Sequence, residues 1–264
     1  MTPLPTVPRN TPRDVASGRP PGNLPAATIP PQLSSAPAGP LKLIERFPSV
    51  PYVVPFVVFA VLLLAAPSLP TSPRVEAISR VAVLTLTLVI VARGVIDFRI
   101  TNWAGTLAVG AGVFALWIAP DMLVPGWRDS WLFQNGITGK LQLSMPVAAR
   151  SDPIVLALRI ARAAILVPII EELFWRAWLP RVLVAKDFRT VPLGRFTTMS
   201  FVATAVLFAS EHGPYWEVGL AAGVIYNWWM FRTRSLGDLI LAHAVTNLLL
   251  SIFVLLTGRW EYWM

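Results

Sequence analysis

From residue 50 onward the chain is a succession of long apolar stretches, separated by short clusters of Arg, Pro, Gly and Trp. A helix needs about 20 mostly apolar residues to cross the ~30 Å hydrocarbon layer of a bilayer. By that measure seven segments read as membrane helices: 50–68, 78–97, 103–119, 154–180, 197–213, 215–231 and 236–257. The expected fold is all-α, a polytopic transmembrane helical bundle of about seven spans. The second segment is the most crowded, with Arg93 and Asp97 at its end. The connection 120–152 carries Trp127, Trp131 and Phe133 but no continuous apolar run, which suits a segment lying on the membrane surface.

Ahead of the first apolar run the pattern is different. Residues 1–40 hold 11 prolines and little that could form a core. Proline removes backbone donors and fixes φ, so residues 1–48 read as an extended, disordered tail. The remainder divides into an N-terminal set of helices with their connecting segment, 49–150, and a C-terminal set, 151–264. The tail lacks the charged-then-apolar pattern of a signal peptide, so the first anchor is expected to be a retained span.

Composition agrees with the pattern. The chain of 264 residues is 55% hydrophobic and 14% charged, with a mean hydropathy of +0.61; a soluble domain carries about 25% charged residues. The absence of cysteine excludes disulfides, Cys-ligated metal and a thiol nucleophile. The net charge of +8 is read as basic loops on the cytoplasmic side, not as a nucleic-acid surface. Lys42, Arg46, Arg93, Arg99, Lys186, Arg189, Arg195, Arg232 and Arg234 fall in alternate loops on one side. This places the N-terminus in the cytoplasm and the C-terminus outside.

Against this background, ionisable residues inside the spans stand out, since each costs about 2.5–3.5 kcal/mol on insertion scales. The fourth span contains Glu171-Glu172, followed by Arg176. Glu172 and Arg176 share a helix face, so an ion pair is available to them; Glu171 lies about 100° round and is free to face something else. Pro168 can loosen the turn before the pair. The fifth span ends with Phe208 and His212, and the seventh holds His243 and Asn247, each pair at i,i+4. Only two histidines exist, and both lie in or beside apolar spans. Three helices could therefore bring a carboxylate base, imidazoles and an amide donor into one water-filled cavity, the parts needed to hydrolyse an amide or ester. There is a difficulty of depth. If the fifth and seventh spans start on one face, His212 lies about 22 Å in and His243 about 10 Å, so a common site needs tilted helices or a fifth helix that begins well before the bilayer.

Glu171-Glu172-x-x-x-Arg176, Phe208-x-x-x-His212 and His243-x-x-x-Asn247, in this order, resemble the three motifs of the CPBP family of intramembrane proteases. That family includes the CAAX prenyl endopeptidases and bacterial homologues linked to bacteriocin self-immunity. The resemblance covers about residues 150–257. It implies that Glu171, aided by His212, deprotonates the attacking water. His243 and Asn247 would donate to the oxyanion, and Glu172, paired with Arg176, would position the cluster. Because family members have also been described as metalloproteases, zinc is the alternative to a cofactor-free enzyme, with Glu171, Glu172, His212 and His243 as its ligands. The stretch 258–263, with Trp228 and Trp229, looks like a bacterial subgroup associated with exosortase systems. The expected partners are then membrane lipid, a protein or peptide substrate and an exosortase-type processing system, in a bacterial inner membrane.

Two rival functions use the same residues. One is a catalytically silent membrane scaffold or chaperone that retains the protease fold. The other is a proton-coupled transporter, which predicts paired half-sequences; no internal repeat is evident. Tyr226, Asn227, Trp228 and Trp229 read as an interfacial belt, Glu211 and Glu217 as interface residues, and Asp238 as a structural carboxylate at a helix start.

Overall fold

The computed structural model describes residues 46–65, 71–141 and 145–263; the Pro-rich tail lies outside them. Among the described residues there are seven helices of thirteen residues or more and no strand. They are α1 (Val50–Ala65), α2 (Pro73–Ala92), α3 (Trp103–Leu123), α4 (Pro153–Val182), α5 (Thr198–Ser210), α6 (Trp216–Thr233) and α7 (Leu236–Thr257). The fold is the expected all-α helical bundle. Helices α2, α3, α4 and α7 are long and apolar enough to cross a membrane, and α1 and α5 are shorter apolar helices. The protein is an integral membrane protein. Its outward faces are apolar, with Leu64, Ile90, Met199 and Leu256 all exposed, as lipid contact requires.

The largest shift from the sequence expectation is in α2, which starts at Pro73 and ends at Ala92, before Arg93 and Asp97. Ser72 caps it through a hydrogen bond from Val75 N, and Pro73 occupies the first turn, where a missing N–H costs nothing. The charges at this earlier start are accommodated in pairs: Arg80 meets Glu76 at 2.8 Å, and Arg74 meets Asp152 at the head of α4.

Helix α4 is built from alternating segments. Wide π turns at Arg162–Leu166 and Leu173–Trp178 flank the α-helical Val167–Glu172. Each π turn ends two residues before a proline, Pro168 or Pro180. Proline cannot donate the next helical hydrogen bond and crowds the preceding turn, so local widening is the expected response. The loosened turn anticipated before the glutamates is therefore present.

Helix α7 packs most extensively on α3. Gly110 permits the close approach: a Cβ there would lie 2.5 Å from the Ala242 carbonyl. The Thr246 hydroxyl donates to the Gly110 carbonyl across the same contact at 2.8 Å. At the start of α7, Asp238 accepts from Thr101 N (2.8 Å), Thr101 Oγ1 (2.8 Å), Asn102 N (3.0 Å) and Thr106 Oγ1. Its carboxylate ties the entry of α3 to the entry of α7, the structural role expected of it.

The connection between α3 and α4 folds back over the α5–α6 turn. Arg128 donates to Asp121 (2.9 Å), Glu217 (3.0 Å) and the Pro214 carbonyl (2.6 Å), with its guanidinium 3.9 Å from the Tyr215 ring centroid. Glu217 is thus one arm of a buried clamp and not a solvated interface residue. Trp131 and Ile137 remain exposed on the connection.

Candidate active site

Glu171 and Glu172 sit at the end of the α-helical segment of α4, where successive residues point in different directions. The Glu172 side chain is wholly buried. Its Oε1 accepts from Arg176 Nη1 at 3.2 Å and from His243 Nδ1 at 2.8 Å. The anticipated Glu172–Arg176 pair is present, and the bond to His243 adds a link between α4 and α7 that no motif spacing revealed. The Arg176 guanidinium stacks 4.2 Å from the Phe208 ring centroid and 5.3 Å from that of Tyr226. Phe208 therefore covers the cation, which explains an aromatic at that position in physical terms.

Glu171 is also buried, but its carboxylate makes no hydrogen bond, and its Oε2 lies 4.0 Å from His243 Nε2. It faces a cavity of about 130 Å³ lined by Glu171, His212, His243, Asn247, Phe208 and Tyr226, among others. A single water requires roughly 10–15 Å³ by this measure, so the cavity admits several.

The two imidazoles share one device. His212 Nδ1 donates to the Phe208 carbonyl at 2.7 Å, and His243 Nδ1 donates to Glu172. A bond of this kind fixes the tautomer and leaves Nε2 for chemistry. The His212 ring packs edge-on to Trp117, with centroids 5.2 Å apart, and lies over Gly219, where a Cβ would come within 3.0 Å of its Cγ. The His243 ring stacks on Tyr226 at 5.4 Å. Asn247 Nδ2 donates to the Ala163 carbonyl at 2.9 Å, inside the first π turn, so the widened turn of α4 anchors the amide of α7.

All five residues predicted to do chemistry, with Arg176 and Phe208, therefore come together at one place. Tyr226 was missed: read as interfacial, it is buried and donates to Thr246 Oγ1 at 2.8 Å beside His243. The belt reading also fails for Asn227, bonded to Phe201 O and Thr204, and for Trp229, bonded to Thr106; Trp228 alone of the four points outward. Packing on one helix face decided these positions, and a run of adjacent aromatics cannot signal which face is inward. Trp117 and Gly219 carried no signal of their own. The Ser210 hydroxyl turns back to the Leu207 carbonyl at 2.7 Å. Among the described residues no group of three His, Asp or Glu side chains converges closely enough to hold a metal ion. Glu172 Oε1 is shared between Arg176 and His243, while Glu172 Oε2 and Glu171 Oε2 have no hydrogen-bond partner among the described residues.

A buried carboxylate and two oriented imidazoles thus line one small cavity inside a membrane helical bundle. Residues 153–249, which contain all three motifs, match the family model described as type II CAAX prenyl endopeptidase, Rce1-like. This stretch of the chain is similar to that CAAX protease-like family. No curated protein and no solved structure matches the chain.

Proposed function

We propose that this protein is an intramembrane endopeptidase that hydrolyses a peptide bond in a membrane-associated or exported protein. The observation that carries the reading is the Glu171 carboxylate, held without a hydrogen bond against a cavity that both histidines line. A water between Glu171 and His212 Nε2 gives up its proton to the carboxylate as its oxygen attacks the scissile carbonyl. His243 takes the role of oxyanion donor through Nε2, with the Glu172 carboxylate orienting the ring from Nδ1. The amide of Asn247 has one N–H committed to Ala163 and a second available to the oxyanion. One preorganised donor of this kind is worth about 3–4 kcal/mol of barrier. Glu171 then returns its proton to the leaving amine. Glu172 and Arg176 act through His243 as positioning residues. The mechanism uses no metal.

The distribution of Lys and Arg favours a cytoplasmic N-terminus in a bacterial inner membrane. The aromatic C-terminal stretch favours a substrate handled by an exosortase-type system. The test is an in-cell cleavage assay of candidate exported substrates, comparing wild type with Glu171→Ala, His212→Ala and His243→Ala at matched expression. Loss of cleavage in all three variants supports the proposal; equal processing by all four proteins overturns it. A change only in the location of a partner would instead identify a scaffold.

A further inference from the structure

A second chamber, of about 190 Å³, lies on the other side of Asn247 from the active cavity, with Arg159 and Arg162 of α4, Phe59 and Leu63 of α1, and Trp263 in its wall. We propose that this chamber holds the headgroup phosphate of an anionic phospholipid, with Arg162 as its principal ligand and Arg159 beside it.

Charge in the chamber wall is unbalanced at Arg162. The carboxylates nearby are committed: Glu76 to Arg80, Asp152 to Arg74, Asp121 and Glu217 to Arg128. Among the described residues no ion pair reaches Arg162, although it stands in an apolar helix. Depth comes next. Helix α4 has 30 residues, or about 45 Å at 1.5 Å per residue, so when it is centred in the bilayer Arg162 stands about 8 Å and Arg159 about 13 Å from the midplane. The hydrocarbon edge lies at ~15 Å, within reach of a long side chain that snorkels towards the phosphate level.

The chamber is also accessible from lipid. Leu63 is 42% exposed and Leu64 80% exposed, so the α1 wall belongs to the surface that acyl chains cover. The guanidinium of Arg159 lies 5.1 Å from the Trp263 ring centroid, and that of Arg150 lies 5.2 Å from the Trp260 ring centroid, which gives the rim the aromatic and cationic character of a membrane interface. A guanidinium fork matches phosphate oxygens bidentately, and phosphate is the anion a bilayer supplies at this level. Val167, Asn247 and Leu250 wall both chambers. A lipid bound here would stand directly behind Asn247.

The proposal does not rest on protease activity, because the readout is bound lipid. The full chain is reconstituted in nanodiscs of equal parts phosphatidylcholine and phosphatidylglycerol, released, and weighed by native mass spectrometry. Wild type is expected to keep a phosphatidylglycerol adduct. Arg162→Gln should retain it roughly tenfold less, with partial rescue by Arg162→Lys, whereas Arg99→Gln, at an exposed loop pair with Asp97, should match wild type. A photo-crosslinker at Leu63 in the otherwise wild-type chain keeps the test independent of whether Arg162→Gln folds. It should capture phosphatidylglycerol above its bulk share, while one at the exposed Val206 captures the two lipids equally. Equal retention by wild type and Arg162→Gln, or capture at Leu63 in the bulk ratio, overturns the proposal. Displacement of the adduct by millimolar inorganic phosphate would reassign the site to free anions and overturn the lipid assignment.

Discussion

Substituting the two adjacent glutamates separates chemistry from stability. Among the described residues Glu171 makes no hydrogen bond and only a 4.0 Å contact with His243 Nε2, so Glu171→Gln removes little that holds the fold. Glu172 is wholly buried and holds both Arg176 and His243. Glu172→Gln keeps an acceptor but takes the hydrogen-bonded carboxylate away from the Arg176 cation, which is 2% exposed and packed between the Phe208 and Tyr226 rings. Breaking a buried ion pair by removing one partner costs about 3–5 kcal/mol. For a domain of this size that is a fall in Tm on the order of 10 °C. The assay is thermal unfolding of the detergent-purified variants, followed by intrinsic fluorescence, alongside cleavage of a processed substrate. Glu171→Gln should unfold within about 1 kcal/mol of wild type and be inactive; Glu172→Gln should be both inactive and destabilised. Equal destabilisation of the two would refute the division of roles, and an active Glu171→Gln would refute the base assignment.

Three other substitutions or treatments test the surrounding structure. Gly219→Ala places a Cβ 3.0 Å from His212 Cγ; turnover should fall at least about tenfold, equivalent to ~1.4 kcal/mol of barrier, while yield and Tm stay close to wild type. Asp238→Ala orphans four donors at the junction of α3 and α7 and should cost roughly 3–5 kcal/mol, read as a collapse of membrane-integrated yield. Exhaustive chelation, checked by metal analysis, should leave cleavage unchanged; loss restored by zinc would overturn the metal-free mechanism.

Much of the bundle was legible because bilayer-crossing helices obey a length and polarity rule that does not depend on partners. The expected seventh span coincides with α7, the second to sixth are displaced by a few residues at one or both ends, and the first starts at Val50 as expected, its expected end lying outside the described residues. The displacements have local causes. In α2, ion pairing at Glu76–Arg80 lets the helix begin five residues earlier, among charges. In the site, i,i+4 spacing was enough to pair Glu172 with Arg176, because that contact lies within one helix. The bond from His243 to Glu172 and that from Asn247 to Ala163 join α7 to α4, so they depend on rotation about helix axes that spacing does not encode. The same limit explains Tyr226 and Trp229, whose inward orientation is decided by α3 and α7 opposite them.

Depth posed the hardest problem in the sequence, and the packing of α5 beside α7 answers it. His243 stands seven residues into α7, about 10 Å from its start, whereas His212 follows the end of the 13-residue α5, about 20 Å from the start of that helix. Both imidazoles nevertheless line one cavity, so the two helices are staggered and their starts are not level. The turn Gly213–Tyr215 then reverses the chain into α6, and the α3–α4 connection closes over that turn through Arg128. Phe208 meets both imidazoles, with ring centroids 4.6 Å from His212 and 6.5 Å from His243. Lengthening α5 by one turn, with four alanines inserted after Ala203, should therefore carry His212 about 6 Å out of the cavity and abolish cleavage. An equal insertion between Ser130 and Trp131, in the connection, should leave the register of α5 intact and retain activity; comparable loss from both insertions would show that the length of α5 does not set the site.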